Sequence, residues 1–198
     1  MKKKIIAVCL IVAMAAIAVV GGTLAWFTDT DDANNVFTVG NVDITLTEPN
    51  WKDSGSQDAP EVYPGEPLAK DPIVTNDGAN PCFVRVRVDG LNCLGNAGMI
   101  TTRYKGANGY NTDQWVYYNG YYYYMVNDCG VMQPNVESEP VFDQIVIPTG
   151  LTNGDAETEF NVHVIAQAVQ AQGAKPSFTQ VKAMTVAEIA AWFTTCGF

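Results

Sequence analysis

The side chains that could do chemistry in this 198-residue sequence are few and scattered. Its one histidine, His163, has no second histidine with which to share a metal, and the H-E-x-x-H spacing that presents two imidazoles and a general base to zinc is absent. No G-x-S-x-G elbow, phosphate-binding glycine loop or dinucleotide fingerprint occurs, so acyl transfer and nucleotide chemistry have no visible seat. Carboxylates cluster at Asp29, Asp31 and Asp32 and again at Glu137 and Glu139, the residue type that a glycosidase pairs. In a chain with 21 acidic and 11 basic residues, such clusters read as solvated faces. No catalytic residue, metal ligand or cofactor is therefore expected, and the chain reads as a non-enzyme.

Two other groups carry chemistry of a milder kind. Cys9 falls in an apolar leader, which leaves Cys82, Cys93, Cys129 and Cys196. They show no C-x-x-C spacing and are candidates for one or two structural disulfides, with three pairings open. Six tyrosines crowd around Asn119-Gly120. Because aromatic faces stack on sugar rings, Tyr117, Tyr121, Tyr122, Tyr123 and Tyr124 are a candidate surface for a glycan or polymer. Successive strand residues point to opposite faces, so one of the pairs Tyr121/Tyr123 and Tyr122/Tyr124 is expected in a core and the other at the surface.

The elements that must position these groups read as strands. Val42 to Thr47 alternates apolar with polar residues, and Val84, Val86 and Val88 alternate with Arg85 and Arg87, so each segment turns one face to a core and one to water. Phe160, Val162, Val164, Ala166 and Ala168 share a face of a longer strand, with His163 on the other. Asn119-Gly120 suits the positive φ angles of a type I′ turn joining Trp115–Tyr118 to Tyr121–Val126. Residues 89–113, rich in Gly and Asn, read as a longer excursion. Near the end the period changes: Thr185 and Glu188 fit a capping box, and Ile189, Trp192 and Phe193 follow at helical spacing. The fold class expected is all-β, an antiparallel sandwich or jelly-roll of about eight to ten strands with a short C-terminal amphipathic helix.

The N-terminus stands apart. Lys2, Lys3 and Lys4 precede the apolar run Ile5 to Val20, the plan of a secretory signal, and small residues at Thr23 and Ala25 favour cleavage at Ala25, Trp26 or Phe27. A retained membrane anchor is the alternative reading. Cleavage takes the formal charge from −10 to −13, an acidity that repels phosphate backbones and excludes nucleic acid as a partner. It divides the chain into a signal over 1–26, an N-terminal arm over 27–38 and a folded domain over 39–198. The arm starts with Phe27, crosses a polar stretch and becomes apolar again at Val36. Such a segment can pair with the exposed sheet edge of another molecule, and a head-to-tail contact of this kind does not close, so repetition makes a fibre.

The run Gly21-Gly22-Thr23-Leu24-Ala25-Trp26-Phe27-Thr28-Asp29-Thr30, followed by Asn35-Val36-Phe37-Thr38-Val39-Gly40-Asn41-Val42-Asp43-Ile44, resembles the TasA/camelysin family of Gram-positive bacteria. Val62 to Glu66, Val74 to Gly78, Phe83 to Arg87, Gly120 to Tyr124 and Ala166 to Ala171 match more loosely. The resemblance implies a jelly-roll exported with a signal that a SipW-type signal peptidase removes, and a matrix or surface fibre built by donor-strand exchange. Carried onto this chain, the donated strand is Phe27, Thr28, Asp29 and Thr30 through Val36, Phe37 and Thr38. The implied partners are the chain itself in a head-to-tail homopolymer, the signal peptidase during export, and other matrix proteins or cell-wall polymers. Some members were named as surface metalloproteases, an activity that no zinc-protease motif here supports. The four mature cysteines depart from the family pattern, and a disulfide would restrain any opening of the sheet.

The expected function is that of a secreted structural protein of the extracellular matrix or cell surface. A monomeric glycan-binding module using the tyrosine hairpin is the alternative, and a surface peptidase the second.

Overall fold

A computed structural model describes residues 41–59, 62–155, 160–171 and 184–198. The expected signal over 1–26, its cleavage residues Ala25, Trp26 and Phe27, and the donor arm from Phe27 to Thr38 lie outside the described residues.

Ten strands occur among them, all paired antiparallel: β1 Ile44–Thr47, β2 Pro67–Ala69, β3 Ile73–Asn76, β4 Cys82–Asp89, β5 Thr101–Arg103, β6 Trp115–Tyr118, β7 Tyr121–Tyr124, β8 Val131–Met132, β9 Gln144–Val146 and β10 His163–Gln170. With the C-terminal helix Val186–Thr195, they form the all-β architecture that the patterning predicts. β4 is the centre of a five-stranded sheet in the order β10-β4-β7-β6, with β8 pairing the start of β4 beside β7. β2-β9-β5 form a second sheet, and β1 and β3 a third.

The second and third sheets are joined by one ribbon. Residues 65–76 run antiparallel to 136–147, held by Gly65 N–H to Ile147 O (3.0 Å), Lys70 N–H to Asp143 O (3.2 Å), Val141 N–H to Pro72 O (2.9 Å) and Asn76 N–H to Val136 O (3.0 Å). The buried Ser138 supplies a hydroxyl acceptor to Val74 N–H where the ladder is interrupted (3.0 Å). A buried backbone donor thus keeps a partner through the irregularity.

Apolar alternation places a core on each face of the five-stranded sheet. Val84, Val86, Trp115, Tyr122 and Tyr124 meet Leu68, Val74 and Ile145 from the other sheets. On the opposite face Phe83, Tyr123 and Val169 pack under Ile189 and Phe193 of the helix. The helix begins as the sequence predicts: Thr185 Oγ1 accepts from Glu188 N–H (3.3 Å) while Glu188 Oε2 accepts from Thr185 N–H (2.8 Å). Its approach is close enough at Gly130 that a Cβ there would collide with Ile189 Cδ1. The hairpin turn also forms as read, with Asn119 at φ 48° and Gly120 at φ 85°.

Three features differ from the sequence reading. Arg85, expected to face water, is only 5% exposed because the helix covers its face of β4. The excursion over 89–113 contains β5 and a short 3-10 turn, Gly95–Ala97. A helical turn at Trp51–Gly55, continued by Ser56–Asp58, had no periodic signal. It is held from outside, by the Asp71 carboxylate accepting from Asn50 N–H (2.8 Å) and Trp51 N–H (3.3 Å).

Candidate functional site

β10 pairs with β4 over eight register positions, from His163 opposite Asp89 to Gln170 opposite Cys82. Among the described residues its other edge has no strand partner. At the start of this strand a groove of about 1280 Å³ opens between β10 and the β2-β9 sheet. Its apolar lining comes from Val62, Leu68, Leu94, Ile145, Leu151, Phe160, Val162 and Val164, and its polar lining includes Glu48, Lys70, Asp155 and His163. An edge without a strand partner among the described residues, beside a groove of mixed polar and apolar lining, is a geometry that accepts an extended chain: backbone groups supply hydrogen bonds and pockets take alternate side chains.

The groove also has a charged corner. Lys70, 4% exposed, places Nζ 2.9 Å from Glu48 Oε2 and 4.8 Å from the centroid of the Trp51 ring. Glu48 Oε1 is buried with no hydrogen-bond partner, an acceptor left over after the ion pair. Neighbouring Asp71 is buried, and that desolvation holds its carboxyl above the usual carboxylate range despite the backbone donors at Trp51 and Asn50. Asp155 is shifted the other way by the Thr152 backbone N–H (2.9 Å) and hydroxyl (2.8 Å), so it stays ionised at the groove mouth. Sequence reasoning did not single out this corner. The only local signal was Lys70-Asp71, a charged pair between two short apolar strands and followed by Pro72.

The tyrosines expected to form a surface are mostly core. Tyr122, Tyr123 and Tyr124 are 8%, 1% and 7% exposed, because the C-terminal helix covers one face of β7 while the shared core covers the other. Tyr117 alone of the five candidates is well exposed, with its ring 5.0 Å from that of Tyr122, and Tyr121 is half-buried beneath the Arg85 guanidinium at 3.9 Å. A flat multi-ring platform is therefore not present.

The four cysteines are all free thiols in this structure. Cys82 is buried in β4, Cys93 is exposed in the 89–113 excursion, Cys129 is half-buried where it bridges Val126, and Cys196 is exposed at the end of the helix. They sit on four separate elements, and none of the expected bridges is formed.

Comparison with known proteins finds a family match. Residues 1–82 match a family described as camelysin metallo-endopeptidase, which supports the family resemblance read from the sequence. No curated protein and no solved structure matches the chain. A metallo-endopeptidase implies a metal, and the described residues do not fit one. No three of their His, Cys, Asp and Glu side chains converge, and His163 lies at the exposed start of β10.

Proposed function

With the camelysin match of residues 1–82 as premise, we propose that this chain is a secreted structural subunit that joins its neighbours by donating the arm Phe27 to Thr38. The observation that supports the reading is the eight-position edge strand β10, with its groove of about 1280 Å³. Phe27, Val36 and Phe37 are the side chains with which the arm would fill apolar space, and β10 offers the backbone edge for it to pair. In this reading signal cleavage creates the donor, the partners are further copies of the chain, and the protein resides outside the cell. Other matrix proteins or cell-wall polymers would bind the finished fibre.

The test is the secreted protein with Phe27 to Asn35 deleted, viewed by electron microscopy beside the parent. Fibres from the parent and none from the deletion are expected, and fibres from both would overturn donor-strand assembly. The family description favours a second reading, a metal-dependent endopeptidase. Peptide cleavage by the purified protein that stops on chelation and returns with zinc would establish it.

A further inference from the structure

The two most exposed large apolar side chains among the described residues are Tyr63, at 68%, and Met99, at 60%. They lie on either side of one turn. β9 runs between β2 and β5, and the turn that leaves it, Ile147 to Gly150, is flanked by the segments leading into those two strands. On one side Gly65 N–H donates to Ile147 O (3.0 Å) and Gly65 faces Thr149. On the other, Gly98 faces Pro148 and Gly150 faces Ala97. Residues 62–65, 95–100 and 147–151 contain no charged side chain, in a chain whose formal charge is −10. The carboxylate next to it in sequence, that of Glu66, accepts from Tyr63 N–H (2.7 Å).

We propose that this uncharged loop cluster is a contact surface for a second copy of the chain. The inference rests on the fibre-subunit reading and adds a second contact to the donated strand. Three observations commit it to that occupant. The cluster is continuous with the groove, whose lining includes Tyr63, Pro64, Leu94 and Leu151. It stands at one end of the ribbon formed by residues 65–76 and 136–147. Asp43 lies at the other end, where its carbonyl accepts from Asp77 N–H and Gly78 N–H, each at 3.0 Å. A copy stacked head to tail thus brings that end of its ribbon over Tyr63 and Met99. Finally, copies of an acidic chain repel one another over most of their surface, and a charge-free apolar end is where they approach at least electrostatic cost.

The experiment compares secreted parent protein with the Tyr63→Ser, Met99→Ser double variant, measuring by sedimentation the concentration at which half the protein is assembled. Both side chains are exposed, and matching circular dichroism spectra verify the fold. Tyr117→Ser, an exposed tyrosine on β6, is the control. The double variant should need at least a tenfold higher concentration, with the control unchanged. Assembly of the double variant at the parent concentration, or an equal shift in the control, overturns this surface and leaves the arm reading intact. Normal assembly by the arm deletion is the separate result that overturns the arm reading.

Discussion

The guanidinium carbon of Arg85 lies 4.3 Å from the centroid of the Phe193 ring, and through this contact β4 grips the C-terminal helix. The same guanidinium is 3.9 Å from the Tyr121 ring, and its Nε donates to Gln167 Oε1 at 2.8 Å. Two aromatic faces thus do much of the work that a carboxylate does elsewhere for a buried arginine. Phe193→Ala is expected to cost about 3–5 kcal/mol, as truncation of a buried aromatic does. A double-mutant cycle with Arg85→Met and Phe193→Leu should give a coupling of about 1 kcal/mol in urea denaturation. Additive losses would mean that burial alone holds the helix.

The ion pair of Lys70 with Glu48 sits with side chains 5% and 20% exposed. Lys70→Ala removes the cation and strands a carboxylate that already has one unpartnered oxygen, so a loss of about 3–5 kcal/mol is expected. Replacing both partners, with Lys70→Met and Glu48→Leu, should be far milder than the single change. Thermal midpoints of the three proteins check this, and equal losses for single and double variants would contradict it.

Asp71 supplies a pH signature. Its folded pKa is raised by burial, so below the ordinary value of 3.8 the carboxyl is neutral in both states and costs nothing. As pH rises through the raised folded value, the charged form becomes the disfavoured one inside the protein and stability is lost. Asp71→Asn keeps an oxygen acceptor for Asn50 and Trp51 without the charge. Its unfolding midpoint in urea should exceed the parent's at pH 7, and the difference should shrink toward zero near about pH 3. A difference that grows on acidification would refute the assignment.

The cysteines should separate by reactivity. Burial pushes the Cys82 thiol up to about 12, which leaves roughly one thiolate in 10,000 at pH 8. Cys93 is also raised by partial desolvation, yet its side chain is exposed. Iodoacetamide at pH 8 should label Cys93 and Cys196 in the native protein, and Cys82 only after unfolding, as read by mass spectrometry of peptides. Early labelling of Cys82 would show that β4 opens at its start.

Much of this fold was legible in local pattern. The Asn119-Gly120 hairpin and the Thr185 capping box need only a few neighbouring residues to specify them, and both form as read. The valines mark β4 and Arg87 is partly exposed as alternation predicts, but Arg85 on the same face is covered. Alternation shows which residues share a face and cannot show that a helix a hundred residues later will cover the polar one. Tyr122 and Tyr124 form the expected core pair, but Tyr123 of the expected surface pair is buried for the same reason, since both faces of β7 are covered. The corner made by Glu48, Trp51, Lys70 and Asp71 was invisible because its contacts span about twenty residues and no periodicity links them.

The ladder between β10 and β4 has a mechanical consequence. If a strand is donated to β10, tension along the fibre reaches the body of the subunit through eight register positions loaded side by side, in shear. Hydrogen bonds loaded in that direction must break together, whereas the two-position contact of β8 with β4 could peel open stepwise. A pulling experiment should therefore find β10 among the last elements to yield, with rupture force set by ladder length more than by the equilibrium stability of the domain.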